Sequence, residues 1–147
     1  MRRSSVRHLT QRIIISVCKT IKSISGSMIL SEKKLTTQND NFPLGVYGSS
    51  KVYLEALGKA YSERGLQVVS ARLGNVTRDD SFGEYPFWIS HRDCCHFIDR
   101  CIETNNLPRY SVFFAISNNP CNPFDLSDAR LRLGYEPKDK SPCPEAK

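Results

Sequence analysis

From residue 46 onward the apolar positions recur with two clear periods. Val52, Ala56, Leu57, Ala60 and Tyr61 fall at helical spacing, with Lys59, Glu63 and Arg64 on other faces. This predicts a helix over about 46–64 that stops at Gly65. Residues 66–73 (Leu-Gln-Val-Val-Ser-Ala-Arg-Leu) are β-branched and mostly apolar, as suits a buried strand of a parallel sheet, and Gly74-Asn75 ends them. A loop rich in acids and aromatics follows over 76–89. Ser90-His91-Arg92-Asp93 then has the form of a capping box with an acid in the first turn. Cys94, Phe97, Ile98, Cys101 and Ile102 make one apolar face of the helix it opens, and Asn105-Asn106 with Pro108 closes it. Residues 110–117 predict another strand and 117–120 a turn. A last helix spans about 125–133, with Leu126, Ala129, Arg130 and Leu133 in register and Gly134 as its cap.

Upstream, only Arg12 to Val17 has a clear pattern, that of a short strand, and residues 32–46 read as a polar loop bearing Asn, Asp, Pro and Gly. The order is strand, loop, helix, strand, helix, strand, helix. Such alternation with short connections predicts an α/β fold, a parallel sheet with flanking helices. The chain divides into a poorly patterned basic segment, 1–31, a folded part, 32–138, and a Pro- and Lys-rich tail expected to be loose, 139–147.

The net charge of +6 changes this picture little once it is located. Residues 1–31 hold six Lys/Arg and no acid, and the rest of the chain carries 15 basic against 15 acidic side chains. A phosphate-tracking surface needs clustered cations on the folded part, so nucleic-acid binding is not expected. The acid-free start reads as a transit peptide, a basic arm or a non-native reading-frame start. No apolar run approaches the roughly eighteen residues that cross a bilayer, so no membrane partner is expected. The six cysteines (Cys18, Cys94, Cys95, Cys101, Cys121 and Cys143) include no C-x-x-C pair. They read as scattered thiols of a reducing compartment, and hence of a cytoplasmic protein. The histidines His8, His91 and His96 have no metal-ligand spacing with them, so no metal is expected.

The candidate chemistry lies at Tyr47 and Lys51. An i, i+4 pair shares one helix face. A phenol is a poor base at neutral pH, and an ammonium held beside it favours the phenolate. The tyrosine can then exchange a proton with a substrate hydroxyl while hydride moves to or from a nicotinamide, and the lysine can hold the cofactor ribose. Of the six tyrosines, only Tyr47 has a lysine four residues later.

The stretch Tyr47-Gly48-Ser49-Ser50-Lys51 with Glu55 resembles the Y-G-x-S-K-x-x-x-E active-site helix of the extended short-chain dehydrogenases, the NAD-dependent epimerase/dehydratase family. The polar loop from Leu35 to Val46, the strand end Arg72-Leu73-Gly74-Asn75, the helix start from Trp88 to Asp93, and Asp125 to Pro137 resemble further family segments in the right order. The resemblance covers residues 35–138. It implies a Rossmann-like domain, NAD as cofactor with NADP open, and a sugar or uronate substrate. It also implies catalysis by Tyr47 and Lys51, cofactor contacts from those two with Leu73 and Asn75, and a substrate contact from Asn75. A catalytic serine is implied as well: Ser16 by strand register, or Ser23 by distance from Tyr47. The compact tail and the Ser117-Asn118-Asn119 turn resemble uronate dehydrogenases. Their carboxylate-pairing arginine has no counterpart at Glu84 and Tyr85, with Arg78 lying earlier. Family members dimerise through the tyrosine helix and the next one, so a homodimer is possible. No glycine run matches the family's G-x-x-G-x-x-G, so the first βαβ nucleotide-binding unit is expected to be missing. The resemblance therefore implies a truncated NAD-dependent oxidoreductase or epimerase, weakly active or inactive alone. Its alternative is a non-catalytic remnant or interaction module.

Overall fold

The computed structural model describes residues 12–18 (backbone), 34–39, 43, 45–81, 86–120 and 122–142. The elements are β1 (Arg12–Cys18), α1 (Gly45–Glu63), β2 (Gln67–Leu73), α2 (His91–Glu103), β3 (Tyr110–Ala115) and α3 (Ser127–Leu133). The strands form one parallel sheet in the order β1-β2-β3, with Ile15 opposite Ser70 and Ser70 opposite Val112. This is the expected partial Rossmann-like sheet with helices on its faces.

Alternation along the strands assigns the two faces. Val69, Ala71, Phe113 and Ala115 pack with Phe97 and Cys101 of α2, Ala129 and Leu133 of α3, and Ile89, Leu107 and Tyr135 in one core. Residues of the other parity meet α1: Arg72 bonds Glu55, and the Tyr110 hydroxyl donates to the Glu55 carbonyl. At the carboxyl end of β3, Phe114, Ile116, Phe124 and Leu126 form a second cluster with Leu35 and Phe87. The Leu35 segment lies in parallel register with Phe124, its N–H donating to the Pro123 carbonyl at 2.8 Å.

Three expectations need correction. The apolar row on α1 is not its core face: Ala56, Ala60 and Tyr61 are exposed, Val52 and Leu57 half-buried, and the buried residues are Gly48, Glu55, Gly58 and Ser62. A helix with small residues toward the sheet seats close to it, and here a carboxylate joins them because β2 supplies an arginine. On α2, Phe97 and Cys101 are buried, but Ile98 and Ile102 face outward, and the inward turn is completed by Asp93 at 1% exposure. Only half of the capping box forms. The Ser90 hydroxyl accepts from the Asp93 N–H at 3.0 Å, whereas the Asp93 carboxylate turns away from the Ser90 N–H, which donates to Ser117 Oγ instead.

The Asp93 carboxylate accepts from the Ser117 hydroxyl at 2.6 Å and from the main-chain N–H groups of Lys138 and Asp139 at 2.8 and 3.0 Å. Asp139 in turn accepts from the Ser90 hydroxyl, and the Ser141 N–H donates to the buried Asn119. Asp139 and Ser141 are thereby bonded to the body of the fold. Gly134 caps α3 in the left-handed region (φ 67°), with Tyr135 N–H returning to the Ala129 carbonyl.

Among the described cysteines, Cys94, Cys95 and Cys101 are not joined in disulfides, and desolvation pushes the Cys94 thiol up from its ordinary value. No described helix is long and apolar enough to cross a membrane. The described residues include no group of His, Cys, Asp and Glu that would hold a metal ion.

Candidate active site

The end of the sheet where ligands bind in parallel α/β folds is the carboxyl end of its strands. Helix α1 leads through a short turn at Gly65 (φ 100°) into the start of β2. Its amino end therefore lies at the strands' carboxyl ends, together with Leu73-Gly74-Asn75. Tyr47 is half exposed on that end of α1, and the half-buried Lys51 places its Nζ over the phenol ring, 5.1 Å from the centroid. Such a cation–π contact at an exposed site is worth about 0.5–1 kcal/mol. The helix start is tightened by local bonds, Ser49 Oγ to the Gly45 carbonyl and Ser50 Oγ to the Tyr47 carbonyl, at 3.0 and 2.7 Å.

The β2 end is fixed by close backbone approach. A Cβ on Gly74 would meet the Phe87 carbonyl at 2.3 Å and Ile116 Cδ1 at 2.9 Å. Asn75 exchanges main-chain bonds across the same gap, its N–H donating to the Phe87 carbonyl at 2.6 Å and its carbonyl accepting from Ile89 at 3.2 Å. Leu73 is half-buried against the main core, and Asn75 is half-buried at the open end. Gly74→Ala is expected to cost about 1–3 kcal/mol, the range for overpacked interiors, because backbone cannot move aside as a side-chain tip can. Urea unfolding measures it, and an unchanged midpoint would sink the argument.

The structure brings Tyr47 and Lys51 together and sets Leu73 and Asn75 at the same end of the sheet. Ser16 pairs with Ala71, two residues before β1 ends at Cys18, so the strand runs past the serine. Ser23, Glu84 and Tyr85 lie outside the described residues, and Arg78 is exposed in the loop after β2.

Two features escaped the sequence reading. Arg72 and Glu55, both in the matched motifs, form a buried ion pair with Nε–Oε1 and Nη2–Oε2 distances of 2.9 and 3.0 Å. An arginine inside an apolar strand was the available signal, since such a charge persists only when paired. The loop after β2 is also tied to α2. His91 Nε2 lies 2.6 Å from the Thr77 carbonyl, and the His91 N–H donates to Asp80. Nothing in the spacing announced that contact.

Comparison with known proteins decides the lineage. The NAD-dependent glucose-6-phosphate dehydrogenase of Haloferax volcanii is 36% identical over 104 residues, which cover 67% of this chain and 39% of that protein. The L-arabinose 1-dehydrogenase (NAD(P)(+)) of the same organism is 30% identical over 112 residues, 67% of this chain and 44% of that one. The chain belongs to the NAD-dependent epimerase/dehydratase family of extended short-chain dehydrogenases. No family model matches it. Its fold resembles that of uronate dehydrogenases. The uronate dehydrogenase of Agrobacterium tumefaciens superposes with a TM-score of 0.65 at 24% identity, over 77% of this chain and 47% of that one. The glucuronic acid dehydrogenase of Chromohalobacter salexigens superposes with a TM-score of 0.75 at 20% identity, over 89% and 48%. The chain thus spans about two-fifths of the length of these curated relatives and about half of these solved ones.

Proposed function

We propose that this chain carries the proton-transfer part of an NAD-dependent oxidation or epimerisation of a sugar or uronate hydroxyl. The observation that carries the reading is the Lys51 ammonium over the Tyr47 ring at the ligand-binding end of a parallel sheet. When bound, a nicotinamide cofactor accepts or returns the hydride. The Tyr47 phenol takes the hydroxyl proton, and Lys51 favours the anionic phenol and reaches the ribose. Leu73 and Asn75 would hold the nicotinamide end of the cofactor, Asn75 would also contact substrate, and Ser16, or Ser23 in its place, would orient the substrate oxygen. These residues fit the nicotinamide–ribose end of the cofactor. The pyrophosphate end needs a glycine cradle that the sequence lacks. The NAD dependence of the glucose-6-phosphate relative supports the cofactor class.

The test follows NADH formation by the pure chain with glucuronate or glucose 6-phosphate. A slow rate is expected, and Tyr47→Phe should lower it by about 10²–10⁴-fold, the span of general acid–base catalysis. An undiminished rate in that variant would remove Tyr47 from the chemistry.

A second reading, a non-catalytic interaction module that pairs with its own kind, is favoured by the outward face of α1. There Val46 and Tyr53 are 88% and 65% exposed, and Ala56 and Ala60 are exposed on the same side. This reading expects no NADH and a dimer in sedimentation equilibrium that Tyr53→Lys converts to monomer. A monomeric parent chain would exclude it.

A further inference from the structure

Tyr47, Lys51 and Glu55 stand four residues apart on α1. Each step of four drifts about 40° around a helix of 3.6 residues per turn. The row therefore descends from surface to interior: Tyr47 is 53% exposed, Lys51 half-buried and Glu55 only 7% exposed. Rotation of α1 about its own axis decides how far into the protein each member sits, and so whether the ammonium lies over the phenol at the open end.

That rotation needs a lock. Large side chains interdigitating with neighbours usually supply it. The buried residues of α1 are Gly48, Glu55, Gly58 and Ser62, and only Glu55 has a side chain long enough to act as a key. Both of its carboxylate oxygens are held by Arg72, at 2.9 and 3.0 Å, in the planar two-pronged geometry that fixes orientation as well as distance. Arg72 is itself held. Its guanidinium lies over the Phe114 ring at 5.6 Å and donates to the Thr37 carbonyl at 3.4 Å. Tyr110 of β3 adds a further bond, from its hydroxyl to the Glu55 main-chain carbonyl at 3.2 Å. Two strands and the segment ahead of the helix thus grip α1 one turn beyond Lys51.

We infer that the Glu55–Arg72 pair is a positioning device that sets the rotation of α1 and so holds Lys51 over Tyr47. The inference rests on the reading of Tyr47 and Lys51 as one functional unit. Neither Glu55 nor Arg72 touches substrate in this scheme. Their role is to convert a core ion pair into register at the surface.

Nuclear Overhauser spectroscopy on the full chain, with labelled lysine, tyrosine and phenylalanine, reads this without turnover. The parent chain should show contacts between the Lys51 ε-methylene and the Tyr47 ring. Glu55→Gln and Arg72→Lys, which keep bulk but lose the two-pronged grip, should each weaken those contacts about threefold or more. The edge-to-face contact of Phe97 with Tyr135, on the other side of the sheet, should stay unchanged and report an intact core. Should either single variant fail to fold, the Glu55→Met/Arg72→Met double variant leaves no unpaired charge and should show the same loss. Undiminished Lys51–Tyr47 contacts in Arg72→Lys or the double variant would overturn the inference while leaving the functional reading intact. No such contact in the parent chain would overturn both.

Discussion

Arg72→Ala should lower the stability of the chain by about 3–5 kcal/mol, the cost of stranding one partner of a buried ion pair. The side chains of Arg72 and Glu55 are each only 9% exposed, so the abandoned Glu55 carboxylate cannot turn to water without moving α1. The physical content lies in the asymmetry between breaking the pair and replacing it. Glu55→Met/Arg72→Met removes both charges and keeps apolar volume, and such replacements are commonly neutral or stabilising. The double variant should therefore unfold near the parent's urea midpoint while Arg72→Ala unfolds well below it. Equal losses in the two would mean that packing, not charge burial, sets the cost. Attraction across the interior thus brings α1 to the sheet in one orientation, without adding much stability beyond what two hydrophobes would supply.

Asp93→Ala is the second large effect, at about 1–3 kcal/mol, because three donors lose their acceptor and the buried one, the Ser117 hydroxyl, is left unsatisfied at about that cost. Those donors are the Ser117 hydroxyl and the main-chain N–H groups of Lys138 and Asp139. Two of the three belong to the segment after α3, so the chain has a cheaper way out: it can release that segment. The expected result is a lowered urea midpoint together with faster tryptic cleavage after Lys138 and Lys140. Asp93→Asn, which keeps one acceptor oxygen, should fall between. A variant as stable and as protease-resistant as the parent would show that Asp93 does not hold the segment.

The elements were legible because each carried its own period. Residues 67–73 are a strand by composition, and α2 begins at the cap that Ser90 announces. Even β1, a short aliphatic run, lies in parallel register with β2 as expected. The Tyr47–Lys51 spacing was equally local, since a helix places residues four apart on one face wherever it sits. Periodicity does not say which face a partner covers. On α1 the apolar row of Ala56, Ala60 and Tyr61 faces outward, while glycines and Glu55 face the sheet. The choice depended on Arg72, 17 residues away, whose charge has to be met in the interior. The same holds for Asp93, read as half of a capping box and used instead to bind Ser117 and the segment after α3.

What the order of residues determined alone was therefore local: the helices, the strands, the parallel class and the Tyr47–Lys51 spacing. Those follow from backbone sterics and the burial of periodic apolar positions, which act over a few residues. Tertiary structure alone decided the partners of Arg72, Glu55 and Asp93, the backbone contact at Gly74 and the orientation of α1. Each of those couples groups distant in the chain through the cost of burying a charge or donor without a mate, and that cost is defined only once the chain has closed around it.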